Sequence, residues 1–398
     1  MKQRLIRWPY LAAGITMMLF IGIIYAWSIL KSSLSVEFGW DSVALGLNYT
    51  ITICFFCLGQ ILAGIILKKL SPIVPVAIAA ILIFAGFFIA SLMQGNIMVL
   101  YISYGGLCGL GIGIAYNAIL STITSWYPDK RGTISGILMM AFGASSLFLG
   151  SIAGKLIILE GWRTTYFILG VSILVILSIG CFFVKNVGAN VSLPEPKASK
   201  KSKEEVKDFT TTEMLRRSSF WKFYILLILL SSIGTCVISF AKDVSLKAGT
   251  TEYLAILLVG VLSVSNGFGR ILTGFLFDII GRKKTMLISN VISIIAPVIL
   301  LLSVINRSIL LNVLGLIFVG LSYGSIPTTS LAYTSSFYGT KNFAMNFSIA
   351  NTILIPASFS ATIAGAMVKA SGNYISVFIM LLCFAITGLL INFSIKKA

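Results

Sequence analysis

The sequence predicts an all-α polytopic membrane protein, with twelve transmembrane helices arranged as two pseudo-symmetric six-helix bundles. Composition is the first reason. Of 398 residues, 58% are hydrophobic and only 11% charged, whereas soluble domains carry about 25% charged residues. A soluble fold could not bury that much apolar surface. Spacing is the second reason: apolar runs of about 20 residues, the length that crosses a bilayer, recur along the whole chain. The third is repetition. Gly59-Gln60-Ile61-Leu62-Ala63-Gly64 returns as Gly269-Arg270-Ile271-Leu272-Thr273-Gly274, an offset of 210. Gly109-Leu110 with Gly113 returns as Gly320-Leu321 with Gly324, and Ser151-Ile152-Ala153-Gly154 as Thr362-Ile363-Ala364-Gly365, both at 211. Two parallel repeats about an axis along the membrane normal are the plan of transporters that rock.

The first apolar run, 9–30, follows a basic start with Lys2, Arg4 and Arg7. No small-residue cleavage site follows it and further spans do, so it reads as a retained helix and not as a signal peptide. Runs 43–67 and 73–92 come next, then 97–124, dense in glycine from Gly105 to Gly113, and 133–157, with glycine from Gly136 to Gly154. Small residues at such positions let helices approach closely in a membrane. Run 164–184 ends the first half. Lys185 to Ser219 is polar and rich in lysine. It reads as a cytoplasmic linker, which sets the expected domains at 1–184, 185–219 and 220–398. The second half repeats the pattern with 220–241, 253–277, 284–304, 308–335, 343–368 and 374–394. Pro327 and Pro356 mark places where two of these runs can break or kink.

The basic residues give the orientation. With both termini cytoplasmic, 22 of the 30 Lys and Arg fall inside and seven outside, leaving Arg270 within a span. The net charge of +18 is therefore mostly a topology signal, and a nucleic-acid partner is not expected. Arg270 is the one charge this reading places deep in hydrocarbon, where a cation costs about 2.5–3.5 kcal/mol on insertion scales. Ser263, Asn266, Gly267, Arg270 and Gly274 share one helix face, which should look into the bundle or a cavity. Arg270 there offers a planar fork to a carboxylate. The plainer reading is that it snorkels to the inner surface. The helix end is seven residues away, about 10 Å, a strained reach. The repeat makes Gln60 the counterpart of Arg270. Tyr25, Tyr116 and Tyr323, with Trp27, Tyr49 and Phe347, are candidate lining residues, and the tyrosine hydroxyls could complete a carboxylate's hydrogen bonds.

Other chemistry is thin. The chain has no His, which removes the usual imidazole relay and metal ligand. Cys54 and Cys57 have CxxC spacing but lie in a span with no partner pair, so they read as packing. No cofactor, no metal and no enzyme active site are expected. Nor does any Asp or Glu fall deep in a span, although proton-coupled symporters commonly use one. Glu252 and Asp243, near the outer helix ends, are the fallback proton sites.

Two segments carry a resemblance. Gly274 and Asp278, followed by Gly281-Arg282-Lys283, resemble the loop signature of the major facilitator superfamily. The resemblance implies that fold, and an inner-side gate latch made by Asp278, Arg282 and Lys283. In the first-half copy Gly64 is followed four residues later by Lys68, not Asp. Trp126-Tyr127-Pro128-Asp129-Lys130-Arg131-Gly132, Tyr25-Ala26-Trp27 and Asn266-Gly267-Phe268-Gly269-Arg270 resemble the oxalate/formate antiporter family within it. That family implies carboxylate transport, with its helix-eight arginine at Arg270 and pocket tyrosines at Tyr116 and Tyr323. Asn266 joins the site candidates, and Asp129 and Arg131 the gating candidates. The family's oxalate exchanger carries a lysine in helix eleven where this chain has Leu354. One cation suits one carboxylate, so the expected substrate is a monocarboxylate such as formate, lactate or pyruvate, moved by alternating access. The alternatives are a drug or metabolite exporter with Arg270 structural, and a carboxylate sensor. The expected setting is a bacterial-type inner membrane, with the protein acting as a monomer.

Overall fold

The computed structural model describes residues 7–67, 69–127, 131–185, 187, 208–339 and 343–395. Among them, eleven helices are long and apolar enough to cross a membrane. One of these, Ile134–Gly180, has 47 residues. That is about 70 Å of helix, more than twice a hydrocarbon core of about 30 Å. It breaks at Gly161, whose φ of 79° lies in the left-handed region that side chains resist. The break turns eleven helices into twelve crossings.

The crossings are α1 (Trp8–Phe38), α2 (Ser42–Ile66), α3 (Ile73–Ser91), α4 (Ile97–Ser125), α5 (131–160), α6 (162–180), α7 (Ser218–Lys247), α8 (Glu252–Ile280), α9 (Arg282–Ile305), α10 (Ile309–Tyr338), α11 (Phe343–Asn351 and Leu354–Ser371) and α12 (Ile375–Ser394). Most ends agree with the apolar runs, but α1 and α7 run past the expected 30 and 241. The residues just past those expected ends are Lys31 and Lys242. Both lysines are buried at helix contacts, so the helices continue through them. Pro327 sits inside an uninterrupted α10. In α11 the break falls at 352–353, just upstream of Pro356. Proline has no N–H to give the carbonyl four residues back, and the chain tightens instead, with the Ile355 amide donating to Thr352 O at 3.0 Å.

Residue 186 and residues 188–207 of the expected linker lie outside the described residues. Its end holds a short helix, Thr211–Leu215, started by a capping box of Thr210 and Glu213. It is tied to the second half, where the Phe209 amide donates to Tyr338 O and Asn346 Nδ2 to Phe209 O.

The repeat appears in the packing, not only in the letters. An added Cβ on Gly113 would lie 2.0 Å from Phe56 O, and one on Gly324 2.0 Å from Asn266 O. Those are equivalent contacts of α2 with α4 and of α8 with α10. Asn117 Nδ2 donates to Gln60 O, and Thr328 Oγ1 to Arg270 O, the same contact made twice at offsets of 211 and 210. Asp41 and Thr251 cap α2 and α8; Asn96 and Ser308 cap α4 and α10.

Across the interface, α5 packs on α8 and α11 on α2. Gly154 meets Ile256 in the first pair, and its equivalent Gly365 meets Ser42 in the second. At the end the charge count puts outside, the halves are pinned together. Thr50 Oγ1 donates to Ser358 O at 2.9 Å, and Lys369 holds Asp41 at 2.7 Å. The outward faces are apolar: Phe268, Ile271 and Phe275 of α8 are exposed while Ser263, Asn266 and Arg270 are buried. That is the amphipathic division read from the sequence, with lipid in the place of water.

Candidate functional site

A cavity lies between the halves. Tyr25, Phe56, Gln60, Tyr116 and Phe142 line it from the first half, and Arg270, Tyr323, Ile326, Pro327, Asn351, Ile353 and Leu354 from the second. Its position follows from the repeat. Gln60 faces Arg270's role in the other half, Tyr116 is equivalent to Pro327, and Phe142 to Ile353. Helices α2, α4 and α5 thus offer the same turns to the space as α8, α10 and α11. Tyr25 comes from a 3₁₀ segment, Gly22–Ala26, that interrupts α1. Gly22 lets that segment lie against α5, because a Cβ there would sit 2.2 Å from Phe142 O.

Arg270 crosses the interface and does not snorkel. It is 4% exposed. Its Nη1 donates to the Met139 carbonyl of α5 at 2.8 Å, and its Nη2 to the Tyr25 hydroxyl at 3.1 Å. Both partners are neutral, so the positive charge is solvated by dipoles and has no counter-ion among the described residues. Arg270 Nε is buried with no hydrogen-bond partner, and so is Gln60 Nε2. Asn351 Nδ2 approaches Gln60 Oε1 at 3.4 Å, which turns the amide so that its NH2 group is the unpaired end. A buried orphan donor costs about 1–3 kcal/mol. Here two of them belong to side chains of one cavity.

The walls are aromatic. Phe142 contacts Tyr25 at 5.3 Å and Tyr116 at 4.9 Å between ring centroids, and Tyr25 contacts Tyr323 at 6.4 Å. Such walls exclude water and strengthen any ion pair made inside. The free space is about 30 Å³, room for about two waters at roughly 10–15 Å³ each.

Of the residues singled out in the sequence, Arg270, Gln60, Tyr25, Tyr116 and Tyr323 come together here. Asn266 does not line the cavity. It lies one turn along α8, 0% exposed, with its backbone against Gly320 and Gly324 of α10. Trp27 and Tyr49 are buried core residues away from the lining, Trp27 donating to Leu45 O. Phe347 is absent from the lining as well. Asp129 lies outside the described residues, as do the side chains of Arg131, Asp278 and Arg282; Lys283 is exposed. Asp243 and Glu252, the fallback proton sites, are held in ion pairs by Lys31 and Lys242. Lys31 and Lys242, near the helix ends that the charge count puts outside, are buried as well, at 3% and 4% exposed. Sequence reasoning missed Phe56, Phe142 and Asn351. The repeat could have found Phe142, as the equivalent of Ile353 beside Leu354. Met139 acts through its backbone, which no side-chain pattern reveals.

Two six-helix halves of membrane-crossing helices meeting at a central cavity are the plan of a transporter. The chain belongs to the Major Facilitator Superfamily, whose sequence profile matches residues 12–359 and 245–396. It is similar to the MFS-type transporter YhjX of Escherichia coli, 26% identical over 86% of this chain and 83% of that one. The oxalate:formate antiporter of Oxalobacter formigenes is 25% identical over 86% of this chain and 80% of that one. Monocarboxylate transporter 12 of the mouse is 22% identical over 83% and 73%. Among solved structures, a bacterial homologue of the human lysosomal transporter Spinster superposes with a TM-score of 0.72, at 15% identity over 98% and 97% of the two chains.

Proposed function

We propose that this transporter moves a small monocarboxylate, of the size of formate, lactate or pyruvate, and that Arg270 pairs the carboxylate in the central cavity. The observation that carries the reading is the pair of orphan donors. Arg270 Nε and Gln60 Nε2 are both buried without acceptors, on side chains lining one cavity. A carboxylate brings two acceptor oxygens and the missing negative charge. The three tyrosine hydroxyls at the rim add donors. Leu354, where the oxalate exchanger of the family has a lysine, puts an apolar side chain in the lining. One cation then meets one carboxylate, and a cavity of about 30 Å³ favours a ligand of few atoms. The relatives named for oxalate and formate and for monocarboxylates agree with that class.

The cycle follows from charge. With Arg270 bare, closing the cavity on both sides leaves a cation in a low-dielectric site; with the anion paired, it does not. Bound substrate therefore lowers the energy of the occluded state, and the halves rock about it. No acidic side chain lines the cavity, which favours an anion over the lipophilic cations that exporters carry. The test is counterflow of radiolabelled formate, lactate and pyruvate in proteoliposomes. Arg270→Ala should lower uptake at least thirtyfold, the equivalent of about 2 kcal/mol, while the protein stays folded and inserted. Undiminished uptake by that variant would sink the reading.

A further inference from the structure

Two lysines near the expected outer end are buried as deeply as Arg270. The side chain of Lys31 is 4% exposed and that of Lys242 5%. The offset that pairs Gly109 with Gly320 also pairs Lys31 with Lys242, and Ser32 with Asp243. Their contacts are reciprocal. Lys31 of α1 reaches Asp243 of α7 at 3.0 Å and lies 3.9 Å above the Phe240 ring. Lys242 of α7 reaches back to Ser32 of α1 at 2.9 Å. Two lysines from opposite halves thus cross where α1 meets α7. On α1, Lys31 stands six residues beyond Tyr25, about 9 Å along the helix, so the crossing lies between the cavity and that end.

The symmetry is broken in one respect. Lys242 also holds Glu252 of its own half, at 2.7 Å. Among the described residues, Lys31 has its carboxylate only from the other half. When the halves part, Lys242 keeps Glu252 and Lys31 loses Asp243. The nearest acids on its own side have other work: Glu37 is held by Arg163 and Trp162, and Asp41 caps α2. Opening this end therefore separates Lys31 from its carboxylate, while Lys242 gives up only the Ser32 hydroxyl. The carboxylates sit on the solvent side of the lysines, Asp243 being 34% and Glu252 63% exposed. An anion arriving from outside meets Asp243 first.

We propose that Lys31 is an entry site for the transported carboxylate, which takes the place of Asp243 on Lys31 and so lets the two halves part. This rests on the carboxylate reading of the cavity. The exchange is like for like: one carboxylate leaves the ammonium as another arrives, and no proton moves. The empty carrier has no anion to cover Lys31 at this end and stays shut, which makes the protein an exchanger without a protonatable carboxylate in its cavity.

The gate is read with Ser358→Cys. Ser358 is 0% exposed, and its carbonyl accepts from Thr50 across the interface. The purified protein in nanodiscs is treated with a maleimide, in sodium formate or in sodium chloride at equal ionic strength. Mass spectrometry of the peptide holding residue 358 separates it from the native cysteines. Formate should raise the modification rate roughly tenfold, as expected of a ligand that favours the open state. Lys31→Gln should give fast modification in chloride with no further gain in formate. Asp243→Asn, which removes the competitor and keeps the ammonium, should lower the formate concentration giving half the effect. A response that survives Lys31→Gln, or is absent from the parent, overturns the entry site. Uptake through Arg270→Ala tests the cavity reading separately.

Discussion

At the residue scale, Arg270 shows how a membrane protein keeps a charge. The guanidinium is held by the Met139 carbonyl and the Tyr25 hydroxyl, each from the opposite half. These are charge-assisted but neutral partners, so they orient the cation without cancelling it. Tyr25→Phe removes one such bond, worth about 1.5–3 kcal/mol when one group is charged, and should raise KM for formate at least about tenfold in proteoliposome uptake. Arg270→Lys should not rescue Arg270→Ala, because a point charge lacks the planar fork. Leu354→Lys adds a second cation to the lining and should bring oxalate into competition with formate; uptake in the presence of unlabelled oxalate checks it. Arg270 was legible in the sequence because charges are rare inside spans. Asn266, on the same face, was placed in the site by that face, and it lies outside the cavity lining. A face of a helix is wider than a cavity, and periodicity does not say which part of it is lined.

At the element scale, glycine sets how closely helices approach. Gly113 and Gly324 each abut a carbonyl oxygen of the neighbouring helix, at 2.0 Å from an ideal Cβ. Gly113→Ala and Gly324→Ala should each force α2 from α4 or α8 from α10, costing about 1–3 kcal/mol of overpacking. Thermal unfolding in detergent should shift down in both. Gly136→Ala, with nothing within 4 Å of its Cβ, should not shift it. The α2 cap carries a second role. Asp41 accepts from the Ala44 amide and pairs with Lys369 of α11. The hydrogen bond from Lys369, then that from Ala44, holds the Asp41 carboxyl below its ordinary pKa. A depressed carboxyl stabilises above its unfolded value of about 3.9, and loses that contribution as pH falls through the folded value. Acidification below about pH 4 should therefore loosen the α2–α11 edge, read as a lower thermal-unfolding temperature in detergent. Asp41→Asn should remove that acid step. The pair is exposed, so the effect is small. The partner of Asp41, 328 residues away, has no local signal in the sequence.

At the scale of the molecule, two halves related by a repeat make one interface, which rocks in the proposed cycle. Thr50 of α2 and Thr362 of α11 bring their hydroxyls to 3.0 Å across the interface. A disulfide between Thr50→Cys and Thr362→Cys should lock that end shut. Uptake should fall to background in oxidant and return in reductant, and either single variant should be insensitive to oxidant. Free transport through the cross-linked pair would show that this end does not open.

The sequence by itself determined the class, the number of crossings and the repeat, because the bilayer imposes a length on every span and gene-level repetition survives as a constant offset. It also named five residues of the cavity, since charged and hydroxyl side chains are conspicuous against hydrocarbon. Only the tertiary structure decided what those groups face. The unpaired Arg270 Nε and Gln60 Nε2, the Met139 carbonyl, and the crossing of Lys31 and Lys242 all depend on how two halves meet. That meeting is set by contacts hundreds of residues apart, which no local pattern of spacing or hydropathy records.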